Sequence, residues 1–248
     1  MTNAQRRSGK AARSGRAGLR RLAVLSAAAL ALATQPVQAC ALALVMGLDI
    51  SSSVNSSEYR LQIGGIAAAL RDPEIRAAIM ADPPVWMTIY EWSGQRQQTD
   101  VVGWTRLATP AQIDALAARL DRHVRPYDAF ATAIGQSLAY ALRRFDALPE
   151  ACARRLVDLS GDGVSNEGRQ AIALHPEAAQ RGVTVNALVI KGGNPDPEAH
   201  YRYGVITGPG AFLLVARNGF EDYPDLIKGK LLRELLPEML LGARDAAR

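Results

Sequence analysis

Three short segments of the sequence carry side chains whose oxygen atoms could bind one metal ion. They place Asp49, Ser51 and Ser53 after the apolar run ALALVMGL, Thr132 in FATAIG, and Asp162 at the end of DLSGD. Carboxylates and hydroxyls are hard donors, which suit Mg²⁺, Mn²⁺ or Ca²⁺ rather than zinc. Two carboxylates balance a divalent charge, and three hydroxyls complete the shell without adding charge. The residue types predict a cation with one coordination position open to water or to an acidic side chain.

Each segment also has an ordinary structural explanation. Serine-rich turns after strands commonly cap helices, and Thr132 could cap the helix that follows it. The pair Asp162-Gly163 is a common turn signal. The order of the three segments, each at a predicted strand end or helix start, favours a cation site over separate caps and turns.

The elements that must position these side chains can be predicted from hydrophobic patterning. ALALVMGLDI is an almost continuous apolar run, typical of a strand covered on both faces. VWMTIYEWSG and QTDVVGWTRL predict a hairpin, and RRLVDLSGDG, GVTVNALVIKG and AFLLVARN predict further strands. Alternation with helical patterns predicts an α/β fold: a doubly wound, mainly parallel sheet of about six strands, one edge strand antiparallel, with helices on both faces. Ligands of such sheets gather beyond the carboxyl ends of strands, where Asp49 and Asp162 fall.

Several helix starts are marked by local signals. Asn55 with Glu58 three residues later forms a capping-box pattern, and Thr109-Pro110 supplies a cap followed by a first-turn proline. Helical spacing of apolar residues predicts another helix from Ile134. Single helices are also predicted through RQAIALHPEAAQR and YPDLIKGKLLRELLPEML.

Asp-x-Ser-x-Ser, then Thr132, then Asp162-Gly163, in this order along an α/β chain, resembles the von Willebrand factor A family. That family's metal-ion-dependent adhesion site uses these residue types. The resemblance runs from about residue 41 to 240, and it implies a first ligand loop at residues 49–53, a second at Thr132 and a third at Asp162. LDISSSV, YEWSG, TAIGQSL, DLSGDGVSNEG and TGPGAF are most similar to a branch of exported bacterial proteins with this fold and no established activity.

One position departs from the family pattern. The family often has glycine directly before the metal-binding threonine, whereas this sequence has Phe130-Ala131-Thr132. Alanine has less backbone freedom than glycine, so the departure predicts a stiffer or slightly displaced loop at Thr132.

The first 39 residues differ in composition from the rest of the chain. They hold seven basic residues and no acidic one, then thirteen uncharged residues from Leu22, then a small-residue end at Val37-Gln38-Ala39. This pattern predicts a secretory signal peptide over residues 1–39, followed by one domain over 40–248. The apolar part is too short to span a bilayer comfortably. We therefore expect an exported protein, periplasmic or extracellular, without a transmembrane span; a basic tail before a buried helix is the alternative.

The predicted signal peptide also accounts for the basic character of the chain. The full sequence carries a formal charge of +5, but seven of its 29 lysines and arginines lie in residues 1–39. The remainder carries a net charge of −2. Nucleic-acid binding needs a basic surface on the folded domain, so the charge argues against it.

The chain has two cysteines, Cys40 and Cys152, and the sequence leaves three states open for them. They precede Asp49 and Asp162 by nine and ten residues, so in parallel neighbouring strands they lie at the same end of the sheet. An oxidising compartment then favours a disulfide. As the first residue after the predicted cleavage, Cys40 is also a candidate for lipidation, which would exclude the disulfide. Two free thiols are the third alternative.

These observations predict a secreted or periplasmic protein-binding module and not an enzyme. A divalent cation, Mg²⁺ before Mn²⁺ or Ca²⁺, would recruit an Asp or Glu side chain of a protein partner. A metal-dependent phosphohydrolase with Asp49 as nucleophile or ligand is one alternative. A haloacid-dehalogenase-like pattern would need an aspartate where Ser51 stands, and no general base is evident nearby. A purely structural domain of the same fold is the other alternative.

Overall fold

The computed structural model describes residues 40–81 and 84–236, so the predicted signal peptide lies outside the described residues. The strands are β1 (Cys40–Asp49), β2 (Val85–Trp92), β3 (Gln98–Leu107), β4 (Cys152–Gly161), β5 (Val183–Ile190) and β6 (Leu213–Ala216). The α-helices are α1 (Ser56–Arg71), α2 (Pro73–Ala81), α3 (Pro110–Asp121), α4 (Ile134–Arg144), α5 (His175–Gln180), α6 (Glu198–Gly204) and α7 (Tyr223–Leu235).

The six strands form one sheet in the order β3-β2-β1-β4-β5-β6. All neighbouring pairs are parallel except β2 with the edge strand β3, which confirms the predicted α/β sheet with one antiparallel edge strand. The strand order reverses between β1 and β4, which lie side by side although far apart in sequence. Their register pairs Leu48 with Ser160, so Asp49 and Asp162 leave the same edge of the sheet on neighbouring strands.

Helices cover both faces of the sheet, as predicted. Leu42, Leu44 and Met46 of β1 pack in a core shared with α1, α3 and α7. Ala43 and Val45, which alternate with them, pack in a second core with α4 and α5. Because side chains of a strand alternate between its two faces, burial on both sides explains the continuous apolar run.

Asn55 and Thr109 cap the starts of α1 and α3, as the sequence predicts. Asn55 accepts hydrogen bonds from the amides of Ser57 and Glu58, and the Glu58 carboxylate accepts one from the amide of Asn55, which completes the capping box. Thr109 accepts a hydrogen bond from the amide of Gln112. Among the helices that the structure describes, α1 is the longest, with 16 residues. Within the described ranges, no helix has both the length and the apolar character needed to cross a membrane.

The sequence interpretation was wrong about one helix and missed two others. RQAIALHPEAAQR contains a 3-10 turn at Ala171–Leu174 and then the short α5, which begins at the residue before Pro176. A proline lacks a donor and fits only the first turn, so it divides the segment. The missed helices are α2 and α6. Asp72 is extended because it precedes a proline, so α1 ends there and α2 starts anew.

Cys40 and Cys152 form a disulfide at the amino ends of β1 and β4. They are register partners in the sheet, and both are buried. The predicted disulfide is therefore confirmed. Lipidation of Cys40 and two free thiols, the alternatives from the sequence, are contradicted because both sulfur atoms are used in the bridge.

Removing this disulfide is expected to destabilise the domain by about 2–4 kcal/mol, because the bridge restricts the unfolded chain across a separation of 112 residues. Urea denaturation of the wild type and of the Cys40→Ser/Cys152→Ser double variant measures the difference. Dithiothreitol should shift the wild-type transition toward that of the double variant and leave the variant unchanged. Equal midpoints for the two oxidised proteins would contradict the prediction.

A buried charged cluster connects α7 to β4 and β5. The ammonium of Lys230 lies 2.7 Å from an Asp158 carboxylate oxygen and also contacts the Glu234 carboxylate. Asn186 on β5 donates a hydrogen bond of 2.8 Å to that same carboxylate of Glu234. All four side chains are buried. The cluster therefore holds two carboxylates and only one ammonium. Burial raises the pKa of Asp158 to about 7, although the charge of Lys230 opposes the shift.

Candidate metal centre

Asp49, the first predicted ligand, ends β1 and is completely buried. Its Oδ1 atom accepts a hydrogen bond of 2.8 Å from the amide of Ser51, and its main-chain carbonyl accepts one of 2.9 Å from the side chain of Gln62. Its other carboxylate oxygen, Oδ2, is buried without a hydrogen-bond partner. A buried oxygen of an acidic group without a donor is energetically costly, so Oδ2 is suited to a ligand such as a cation.

The hydroxyls of the first loop connect Asp49 to the loop after β4. Ser53 donates a hydrogen bond of 2.7 Å to Oδ1 of Asp162, and the hydroxyl oxygens of Ser51 and Ser53 lie 3.2 Å apart. Gly161 permits this approach, because a Cβ atom at that position would lie 2.7 Å from Oδ2 of Asp49. Four of the five predicted ligands thus lie together at the carboxyl edge of β1 and β4.

Thr132, the fifth predicted ligand, lies on the loop between α3 and α4 and is buried. Its amide donates to Oδ1 of Asn166 at 2.9 Å, and the amide of Asn166 donates to the carbonyl of Thr132 at 3.0 Å. A Cβ atom on Gly163 would lie 3.6 Å from the Thr132 hydroxyl. The threonine hydroxyl therefore lies beside the Asp162 loop, and the structure brings all three predicted segments together.

The residues on either side of Thr132 are also held. The carbonyl of Ala131 accepts a hydrogen bond of 2.9 Å from the Ser93 hydroxyl, and the amide of Ala133 donates to the carbonyl of Ser93 at 2.9 Å. In addition, the carbonyl of Phe130 accepts a bond of 3.0 Å from the amide of Ser52 in the first loop. These bonds fix the backbone on both sides of Thr132 with alanine at position 131.

The two carboxylates of the cluster lack a counter-charge. Burial is the main cause that raises the pKa of Asp49 to about 7, and repulsion by Asp162 adds to it. Burial also raises the pKa of Asp162. None of the ion pairs in the part of the chain that the structure describes involves either residue. Two uncompensated buried carboxylates together with hydroxyl oxygens fit a divalent cation.

The residue types of this cluster limit what it could bind. Across residues 40–81 and 84–236, no group of three or more His, Cys, Asp or Glu side chains is placed to hold a metal. A cation at this edge would therefore need hydroxyl ligands from Ser51, Ser53 and Thr132 beside the two carboxylates. Such a shell of hard oxygen atoms is typical of Mg²⁺ rather than of zinc.

Some residues at the site were not identified from the sequence. Tyr201 on α6 is completely buried, and its hydroxyl has no hydrogen-bond partner. A Cβ atom on Gly161 would lie 2.3 Å from that hydroxyl, so Tyr201 and Asp49 approach the same glycine. Burial and the charges of Asp49 and Asp162 raise the pKa of Tyr201 and keep it neutral. No local signal could have identified Tyr201, because α6 is short and was not predicted.

An open cleft of about 470 Å³ lies beside the cluster. Its lining includes Ser53 and Asp162 together with Lys191, Arg217 and Phe220. The cleft gives the cluster a way to the solvent, and it is large enough for a side chain of another molecule.

The sheet order and the helices on both faces give the domain the fold of von Willebrand factor A-type proteins, one of which, from Catenulispora acidiphila, has a TM-score of 0.55 and 15% identity over 79% of this chain and 43% of that chain. The chain belongs to the family described as "Protein of unknown function (DUF1194)", whose model matches residues 39–239. None of the curated proteins matches the chain.

Solved structures of several proteins share the fold. Proximal thread matrix protein 1 from the mussel byssus has a TM-score of 0.62 and 18% identity, over 79% of this chain and 49% of that chain. Another structure of it, described as having a zinc-occupied MIDAS motif, has a TM-score of 0.59 and 16% identity, over 79% and 46%. The pilus adhesin SpaC from Lactobacillus rhamnosus GG has a TM-score of 0.57 and 14% identity, over 81% and 31%. This chain thus spans half or less of each of these chains, and the identities establish the fold alone.

Proposed function

We propose that residues 40–248 form an exported, metal-dependent protein-binding module. In this proposal a divalent cation, Mg²⁺ before Mn²⁺ or Ca²⁺, is held by an oxygen shell of Asp49, Ser51, Ser53, Thr132 and Asp162. The observation that carries the proposal is the convergence of two uncompensated buried carboxylates with three hydroxyls at one edge of the sheet. The cation supplies the missing positive charge when it is bound.

The chemistry of the cluster also indicates the partner. With only two carboxylates in its shell, a divalent cation remains electrophilic and attracts a further anionic oxygen. We therefore propose that a protein partner presents an Asp or Glu side chain to the cation through the cleft beside Ser53 and Asp162. The zinc-occupied MIDAS motif of the mussel protein and the adhesive role in the name of SpaC are in keeping with this proposal.

The proposal that the protein is exported is supported by two observations. The signal-peptide pattern of residues 1–39 predicts secretion, and the disulfide between Cys40 and Cys152 is a bond that persists in oxidising compartments. Together they favour the periplasm or the cell exterior as the location of the domain.

Nothing at the cluster favours the metal-dependent phosphohydrolase. Ser51 occupies the position where that chemistry would need a second aspartate. His123 contacts the buried carboxylate of Glu91, and His200 accepts a hydrogen bond from the amide of Ser165, so both histidine rings already have partners. The structural relatives named above are a matrix protein and an adhesin. We therefore propose binding rather than catalysis.

The immobilised protein is expected to capture a partner from an extract of the producing organism's envelope only when Mg²⁺ is present. A chelator should release the partner, because it removes the cation that joins the carboxylates of the site to the acidic side chain of the partner. Amidation of the carboxyl groups in the extract, with carbodiimide and an amine, should abolish capture. Captured protein is identified and quantified by mass spectrometry.

The control for this experiment is the Asp49→Asn protein on the same support, which should capture nothing above background. Capture that persists in chelator, or that survives amidation of the extract, would contradict recruitment of an acidic side chain by a cation.

A further inference from the structure

Besides Thr132, the loop between α3 and α4 carries an arginine that contacts the first ligand loop. Its Arg125 side chain crosses to the first ligand loop and donates three hydrogen bonds to main-chain carbonyls there. The acceptors are Val54 at 2.8 Å, Ile50 at 2.8 Å and Ser51 at 3.1 Å. One guanidinium thus fixes three carbonyls within five residues of the loop that presents Ser51 and Ser53.

Arg125 is itself held firmly by its surroundings. Its Nε atom donates to the carbonyl of Tyr127 at 2.9 Å, and its guanidinium lies 5.6 Å from the centre of the Tyr59 ring. The Tyr59 hydroxyl donates a bond of 2.6 Å to the buried carboxylate of Glu91, and the Nε2 atom of His123 lies 3.0 Å from the other oxygen of that carboxylate. A guanidinium fixed on several sides provides a rigid template for the carbonyls that it contacts.

The charge of Arg125 does not explain why it lies beside the cation site. A positive side chain beside a cation site opposes cation binding by repulsion. The geometry of the guanidinium offers a different reason, since several N–H donors in one plane can hold several carbonyls at once. Together with the bond from the amide of Ser52 to the carbonyl of Phe130, Arg125 joins the first ligand loop to the loop of Thr132.

We propose that Arg125 is a positioning residue for the cation site, which holds the loop of Ser51 and Ser53 against the loop of Thr132 before any cation binds. This inference rests on the proposed function. Arg125 contacts no predicted ligand side chain; it acts through the main chain of residues 50–54.

The Arg125→Met variant tests the proposal, because it keeps most of the length of the side chain and removes its charge and its donors. Isothermal titration with Mg²⁺ should give a dissociation constant at least tenfold weaker than that of the wild type. The temperature is chosen so that both proteins have the same circular dichroism. Charge removal alone would strengthen binding, so the direction of the change separates positioning from electrostatics.

Arg122→Met is the matched control, because it removes the same charge from an exposed position at the end of α3. Its affinity for Mg²⁺ should equal or slightly exceed that of the wild type. Arg125→Lys keeps the charge but cannot reach the three carbonyls in the same geometry, so it should also bind Mg²⁺ more weakly. It provides the test if the methionine variant does not fold.

Hydrogen exchange in chelator gives a readout that is independent of the cation. The amides of residues 51–54 should exchange faster in Arg125→Met, whereas those of β3 should not change. Unaltered or tighter Mg²⁺ binding by the Arg125 variants, with normal binding by the wild type, would overturn this inference alone. A wild-type protein that binds no divalent cation would overturn the proposed function and this inference with it.

Discussion

The Asp49→Asn substitution is expected to abolish divalent-cation binding and, in chelator, to raise the melting temperature of the domain. Asparagine has the same shape as aspartate and keeps an oxygen to accept the hydrogen bond from the amide of Ser51. It removes one of two buried carboxylates that repel each other when no cation is bound. The same change takes an anionic ligand away from the cation, so we expect a loss of affinity of a hundredfold or more.

Calorimetry measures both effects. Mg²⁺ at about a hundredfold excess over its dissociation constant should stabilise the wild type by about 2.7 kcal/mol. For a domain of this size, that corresponds to a rise of roughly 5–10 °C in melting temperature. The Asp49→Asn protein should melt above the cation-free wild type and show no response to Mg²⁺.

Asp128→Asn is the control, because Asp128 is exposed and lies on the same loop as Thr132. It removes one negative charge near the site without removing a predicted ligand, so its affinity should stay within about twofold of the wild type, as expected for a screened surface charge. An Asp49→Asn protein with wild-type affinity would show that the cation binds elsewhere. A wild type without any response to Mg²⁺ would instead favour the purely structural domain.

The Lys230→Met substitution is expected to destabilise the domain by about 3–5 kcal/mol, because it leaves buried carboxylates without their ammonium partner. Lys230 is completely buried between Asp158 and Glu234. Apart from this ammonium, neither oxygen of Asp158 has a hydrogen-bond partner, and Oε2 of Glu234 also lacks one. Methionine fills a similar volume, so the loss reports on charge rather than on packing. Urea denaturation at pH 7 measures it.

Lys228→Met on the same helix is the matched control. Lys228 pairs with Asp72 at the surface, where such a pair contributes at most about 1 kcal/mol. If both substitutions caused equally small losses, the cluster around Lys230 would not hold a buried charge.

The loss caused by Lys230→Met should depend on pH in a defined direction. Burial already raises the pKa of Asp158 from 3.8 to about 7, and removal of the ammonium raises it further. Between about pH 4 and pH 7 Asp158 keeps its proton in both native proteins, so both lose stability in parallel as the unfolded chain ionises. The loss caused by the substitution should therefore be nearly constant up to about pH 7 and grow above it, where Asp158 ionises in the wild type but not in the variant; a loss that shrinks above pH 7 would contradict this explanation.

The sequence predicted those parts of the fold that depend on local chemistry. The continuous apolar run of β1 reflects burial on both faces, and the caps at Asn55 and Thr109 depend on neighbours within three or four residues. The predicted ligand residues converge for a topological reason. Asp49 and Asp162 follow adjacent parallel strands, whose carboxyl ends lie at one edge of the sheet.

What the sequence could not predict depends on contacts between distant residues. A lysine within an amphipathic helix is usually solvated, and only the neighbouring strands make Lys230 a buried partner of Asp158. In the same way, Arg125 binds carbonyls more than 70 positions earlier in the chain. The short helices α2 and α6 were not predicted, because so few turns give little periodicity in the spacing of apolar residues.

The disulfide at the start of β1 and β4 has a mechanical consequence if a partner is bound at the opposite edge. Tension applied at the cation would run along both strands, over a length of about 30 Å for ten residues each. Because these two strands are covalently joined at their far ends, neither can be peeled from the sheet without the other. The domain would then resist pulling as a unit, which suits the partner-binding role that we propose for it.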